Sequence, residues 1–180
     1  MDWLNQIGGM LQQYASVNRV QGAESAERDF ERFARSAPRE EVAHGISETF
    51  RSPDTPPFPQ MLGQLFRNSP TEQRATILNS LLGTLGPAVL AQVLSRHGGG
   101  AAGLGGLLTG SGQTHVRPEH TPQISPDAVT ELAAQAEKKD PSIIDRMSDF
   151  YADQPQLVKT LGGAALAVAL MQIGRKHKLL

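Results

Sequence analysis

Residues 157–173, Leu-Val-Lys-Thr-Leu-Gly-Gly-Ala-Ala-Leu-Ala-Val-Ala-Leu-Met-Gln-Ile, form the most apolar run of the chain. A helix built from them has no polar face, and such a helix must be buried in protein or in lipid. A spanning helix needs about 20 apolar residues. Here the uninterrupted part covers only 161–171, bracketed by Lys159 and Gln172, and its alanines and glycines are weakly apolar. Gly162, Ala165 and Ala169 are spaced for one face, where a second helix can approach closely. The basic sequence Arg175-Lys176-His177-Lys178 suits either a helix C-terminus or an anionic lipid surface. The run therefore reads as a core helix, with membrane association through 157–180 as the alternative.

The rest of the chain carries helical stripes. Trp3, Leu4, Ile7, Met10, Leu11 and Tyr14 follow the helical period, and Leu4, Ile7, Leu11 and Tyr14 also fit heptad positions. Two heptads are too short for a stable coiled coil. The segment is expected to dock on its own domain, with self-association as the second use. Residues 16–25, polar and containing Gly22, read as a hinge. Thereafter Pro38, Pro59, Pro70, Pro87, Pro126, Pro141 and Pro155 each precede an amphipathic run, as prolines at the first helical position do. Ser69-Pro70-Thr71-Glu72 fits a capping box, and Ser125 and Asp140 fit N-caps. Apolar residues keep the helical spacing between these starts, for example Val42, Ile46, Phe50 and Val129, Leu132, Ala133, Ala136. No strand alternation competes. The expected fold is all-α, a multi-helix bundle of about eight or nine short helices.

Residues 97–124 are dense in glycine, which holds neither helix nor strand well, and read as a flexible linker. The expected organisation is an N-terminal amphipathic helix (1–20), a helical domain (21–96), the linker (97–124), and a C-terminal three-helix module with an apolar last helix (125–180). The 33–40 and 65–72 segments echo each other one helical hairpin apart, and Val42, Ile46, Phe50 with 59–62 are echoed by Ile143, Met147, Phe150 with 155–158; two related halves would produce these echoes, and so would shared helix-start chemistry alone. Three stretches carry a likeness: 1–11 (Met-Asp-Trp-Leu-Asn-Gln-Ile-Gly-Gly-Met-Leu), 104–108 (Leu-Gly-Gly-Leu-Leu) and 124–128 (Ile-Ser-Pro-Asp-Ala). They resemble the YidB-like bacterial proteins of unknown function. That resemblance implies a small helical protein with a homeodomain-like helix arrangement, and it brings no catalytic residues.

No convergent chemistry stands out. The chain has no cysteine, which excludes disulfides, thiolate metal sites and cysteine nucleophiles. Gly98, Gly100 and Gly103 match a dinucleotide-loop spacing without the strand before it or the helix after it. His115, Glu119 and His120 fall in the linker, and Gly110-Ser111-Gly112 lacks the setting of a nucleophile elbow. Arg28, Arg32, Arg35 and Arg39 alternate with acids, so that face is a solvated one, and a net charge of −1 disfavours nucleic acid. The stiff loop Ser52-Pro53-Asp54-Thr55-Pro56-Pro57-Phe58 reads as a fixed corner between helices. An enzyme would need a pocket joining distant groups such as Asp54, Arg67 and Arg74. The expectation is a non-enzymatic helical interaction or scaffold protein of bacterial type with no catalytic, cofactor or metal residues. It forms a homo-oligomer or binds another protein, and its interaction candidates are Trp3, Leu4, Ile7, Leu11, Tyr14, Leu166 and Leu170. The opening Met1-Asp2-Trp3-Leu4 lacks the basic region of a signal peptide, so a cytoplasmic location is expected.

Overall fold

The computed structural model describes residues 2–16, 19–98 and 115–179. Among these the fold is all-α, with ten α-helices and no strand. In order they are α1 (Asp2–Ser16), α2 (Arg19–Ser36), α3 (Arg39–Arg51), α4 (Phe58–Asn68), α5 (Thr71–Leu85), α6 (Pro87–Arg96), α7 (Pro126–Lys139), α8 (Ile143–Ala152), the single turn α9 (Pro155–Val158) and α10 (Gly163–Lys176). Short 3-10 turns cover Pro118–Gln123 and Lys159–Leu161. Of the hinge expected over 16–25, Ser16 ends α1 and residues 19–25 belong to α2; residues 17–18 lie outside the described residues.

The chain divides into two compact units, one made of Met1–Pro57 with Ile144–Leu180, the other of Phe58–Ile143. This boundary differs from the one expected at the glycine-rich stretch. The reason lies in where each apolar face is covered. The Val129, Leu132, Ala133 and Ala136 face of α7 is fully buried, and α7 packs on α4, α5 and α6. α10 instead packs on α1, α2 and α3. The supposed C-terminal module is thus shared between the units.

In the first unit α10 is the central element. Leu166, Val168, Leu170 and Ile173 are all buried, with Leu170 and Ile173 at 0% exposure. The apolar run is not one helix, as the sequence suggested: Gly162, at φ +94°, breaks it, and the segments on either side bend by 114°. No single described helix is long and apolar enough to cross a membrane. Directly after the bend, α10 lies so close to α2 that a Cβ on Gly163 would sit 2.0 Å from the Ala23 carbonyl oxygen. α1 is fixed to α2 by the Tyr14 hydroxyl, which donates to Asp29 Oδ2 at 2.6 Å. Burial, reinforced by that bond, pushes the phenol above the usual tyrosine range.

In the second unit α4 and α7 cross with Gly63 at the contact, where a Cβ would meet Thr130 Oγ1 at 2.3 Å. Residues 115–124, the end of the stretch expected as a linker, include packed side chains. Val116 and Thr121 have 0% exposure, and the Asn79 side-chain amide donates to the Val116 carbonyl (2.9 Å) while its oxygen accepts the Val116 N–H (2.8 Å). That two-way bond satisfies backbone groups that the sheetless segment could otherwise pair only with water. The remainder of the expected linker, 99–114, lies outside the described residues.

Helix starts follow proline, with local variation. Pro87, Pro126 and Pro155 stand in the first turn, and the Ser125 hydroxyl accepts the Ala128 N–H as an N-cap. Pro38 and Pro70 occupy the N-cap itself, and the capping box expected at Ser69 does not form because its hydroxyl donates back to the Leu65 carbonyl at 2.6 Å.

Two glycine substitutions separate close approach from helix propensity. Gly163→Ala meets the Ala23 backbone and should lower the unfolding free energy by about 2 kcal/mol. Gly83→Ala, on an exposed face of α5 with nothing within 4 Å, should raise it by about 0.5–1 kcal/mol. Urea denaturation of the two variants checks both signs.

Candidate functional site

The seven interaction candidates separate into two groups. Ile7 and Leu11 are at 0% exposure, Tyr14 is buried against α2, and Leu166 and Leu170 lie inside the first unit. These five are interior and offer no surface to a partner. Trp3 and Leu4 are part-exposed. The Trp3 indole meets the Phe33 ring edge-on at 6.2 Å between centroids and the His177 ring at 5.3 Å. Such edge-to-face contacts hold an aromatic ring in one orientation.

His177 is itself held by Glu41. Its Nε2 lies 3.0 Å from Glu41 Oε2, and Lys176 Nζ donates to both Glu41 oxygens at 3.0 and 3.1 Å. Burial works to raise the Glu41 carboxyl, but the bonds from His177 and Lys176 outweigh it and leave the group below its ordinary range. The start of α3 is thereby joined to the end of α10, with acid in the first turn of one helix and bases at the last turn of the other.

A polar cleft that no sequence pattern announced lies between α3 and α8. It has a volume of about 230 Å³ and a floor of small side chains, Ala43, Ser47 and Ser148. Two arginines on α3 bridge across to α8. Arg39 donates to both carboxylate oxygens of Asp153 (2.8 and 3.0 Å) and to the Asp149 carbonyl (2.6 Å). Arg51 donates to both oxygens of Asp145 (2.8 and 2.9 Å), and Ser47 donates to one of them at 2.9 Å. These pairings span about a hundred residues of sequence, so no local pattern announces them. His44, part-exposed, lines the same cleft.

Other sequence motifs lie elsewhere. Arg35 bonds Glu31, which also accepts from Lys159 at 3.1 Å, so the arginine row on α2 and α3 is partly neutralised by its own protein. Arg74 donates to the Phe66 and Arg67 carbonyls at 2.9 and 2.7 Å and lies over the Phe66 ring, closing the end of α4. Arg67, with Gln60, Gln64, Asn68 and Asp127, lines a groove of about 510 Å³ in the second unit, whereas Asp54 belongs to the first. Of the histidines, His97 pairs with Glu131 at 2.6 Å. Gly100, Gly103, Leu104 to Leu108 and Gly110-Ser111-Gly112 lie outside the described residues. No group of three or more potential metal ligands occurs among the described residues.

The cleft has a testable electrostatic signature. Hydrogen bonds from Arg51 lower the Asp145 carboxyl against a smaller opposing effect of burial, and Ser47 adds to the lowering. A carboxyl whose folded pKa lies below its unfolded value of about 3.9 stabilises the fold above that pH and loses the contribution as pH falls through the folded value. The Asp145 side chain is 56% exposed, so the bridge is worth only about 0.5 kcal/mol. Asp145→Asn should lower stability by about that amount near pH 7 and have no effect at about pH 2. Urea midpoints at the two pH values check this, and an equal loss at both would assign the effect to something other than charge.

No protein-family model, curated protein or solved structure matches this chain.

Proposed function

We propose that this chain is a non-enzymatic helical protein that works by binding, and that its first partner is a second copy of itself. The observation that carries this reading is the outward side of the 157–173 run. Leu157, Leu161 and Met171 are part-exposed and Ala164 is exposed, while Leu166 and Leu170 of the same run are interior. Ala164 and Met171, seven residues apart, share one face of α10. Small and flexible apolar side chains on an outward helix face favour close approach of a second helix and adapt to its shape. The contact surface on this reading is therefore the Ala164 and Met171 face of α10, with Leu157 and Leu161 on the segment before the Gly162 bend, and not the Leu166 and Leu170 side on which the sequence placed it.

The test is the mass of the full chain by light scattering across micromolar concentrations. A dimer is expected for the native sequence. Leu161→Glu combined with Met171→Glu places two charges on that surface at positions that already touch water, and should raise the dissociation constant about tenfold or more. Helical circular dichroism of the variant confirms that it folds. A native chain that stays monomeric throughout the range refutes the proposal.

A further inference from the structure

The end of α10 is a basic surface of unusual construction. The helix closes in a Schellman cap, in which the Leu179 N–H reaches the Gly174 carbonyl at 2.9 Å and the Lys178 N–H reaches the Arg175 carbonyl at 3.1 Å. The residue that turns the chain there is Lys178, at φ +55°. It is the one residue other than glycine with positive φ among the described residues; Gly86, Gly98 and Gly162 are the rest. Glycine adopts this conformation most cheaply, so a lysine here costs the backbone more than a glycine would.

Its charge is also unspent within the fold. Lys176 and His177 bond Glu41, whereas Arg175 and Lys178 are exposed and paired with no carboxylate among the described residues. Beside them stands Trp3, its ring against His177, with Leu4 next to it and Leu179 in the cap, all three part-exposed. Two carboxylates belong to the elements that meet here: Glu41, occupied as described, and exposed Asp2 one residue before Trp3. Glu40 lines the α3–α8 cleft instead.

Unpaired cations beside an amphipathic indole and exposed aliphatic side chains match the headgroup layer of an anionic bilayer, which offers phosphate charge at the surface and an apolar boundary just below it. The geometry points to this end of the first unit as a peripheral docking site for anionic phospholipid membranes. Arg175 and Lys178 meet the headgroups, and Trp3 and Leu4 enter the interfacial layer. The site requires no insertion of α10, whose Leu166, Val168, Leu170 and Ile173 side chains remain inside the unit. Its residues differ from Leu157, Leu161 and Met171, proposed above for self-association, and Met171 lies one helical turn before Arg175.

Trp3 is the chain's single tryptophan and reports on its own surface. The experiment follows its emission, together with sedimentation of the full chain, on vesicles of phosphatidylcholine alone and of phosphatidylcholine with equimolar phosphatidylglycerol. A blue shift and sedimentation are expected with the anionic vesicles only, and both should weaken as salt is added. Arg175→Gln with Lys178→Gln should lower the vesicle partition coefficient about 30-fold. Asp2→Asn should raise it. Lys178→Gly separates structure from function: it should melt higher than the native chain yet bind the anionic vesicles more weakly, while Lys178→Arg keeps the binding. Equal binding to both vesicles, no sedimentation with either, or undiminished binding by the double variant would overturn the proposal. So would an emission shift that tracks protein concentration without lipid, since that assigns the surface to a second copy. Light scattering of Leu161→Glu with Met171→Glu, run beside these, reads self-association independently of vesicle binding.

Discussion

A helix with almost no polar side chain survives in water only when other elements enclose it, and α10 imposes that condition on the whole first unit. Three helices from the opening third of the chain, α1, α2 and α3, meet it. The requirement reaches across the sequence, because α10 follows more than a hundred residues later and the entire second unit lies in sequence between the two. Burial of Leu166, Val168, Leu170 and Ile173 is what joins the ends of the chain. The polar links, Glu41 to Lys176 and His177, Glu31 to Lys159, and Arg39 and Arg51 to α8, are arranged around this apolar centre and fix its angular setting more than its stability.

Helix type and most helix positions were legible because their signals are local. A stripe of apolar residues at the 3.6 period, a proline at a helix start and a serine before it act within a few residues, and α7 with Ser125 and Pro126 shows all three. Capping already fails where a hydroxyl has a competing local acceptor, as Ser69 does in Leu65. The allotment of helices to units was not legible. Nothing in the α7 sequence states that its face meets α4 while that of α10 meets α1 to α3; the two stripes look alike, and only volume and shape select the partner. The glycines before it misled for the 115–124 segment, which itself has none and in which one distant side chain, Asn79, pairs both backbone groups of Val116.

The surface candidates illustrate the same division. Amphipathic spacing identified Ile7, Leu11 and Tyr14 as an apolar stripe, and such a stripe is compatible with either a core or an interface; burial decided for the core. What is left outside is the irregular residue of that packing, Trp3 and Leu4 at one end, Leu157, Leu161 and Met171 along another edge. The Arg–Asp bridges over the cleft escaped notice because they join α3 to α8 from distant parts of the chain, and each charged residue taken singly looks like ordinary solvated surface.

The two glycine corners have a consequence of a different kind. Gly86 (φ +87°, ψ 163°) and Gly162 (φ +94°, ψ 160°) adopt nearly the same backbone conformation, turning α5 into α6 by 119° and the α9 segment into α10 by 114°. At neither position would a Cβ meet any atom within 4 Å, so space does not explain the glycines. Handedness does. This conformation is the mirror image of ordinary extended backbone, so it is open to every amino acid of the opposite chirality and closed to the L side chains the ribosome supplies. Each unit therefore bends at a point where the chain must be locally achiral, and a synthetic copy carrying D-alanine at both corners would turn them as readily as the natural one.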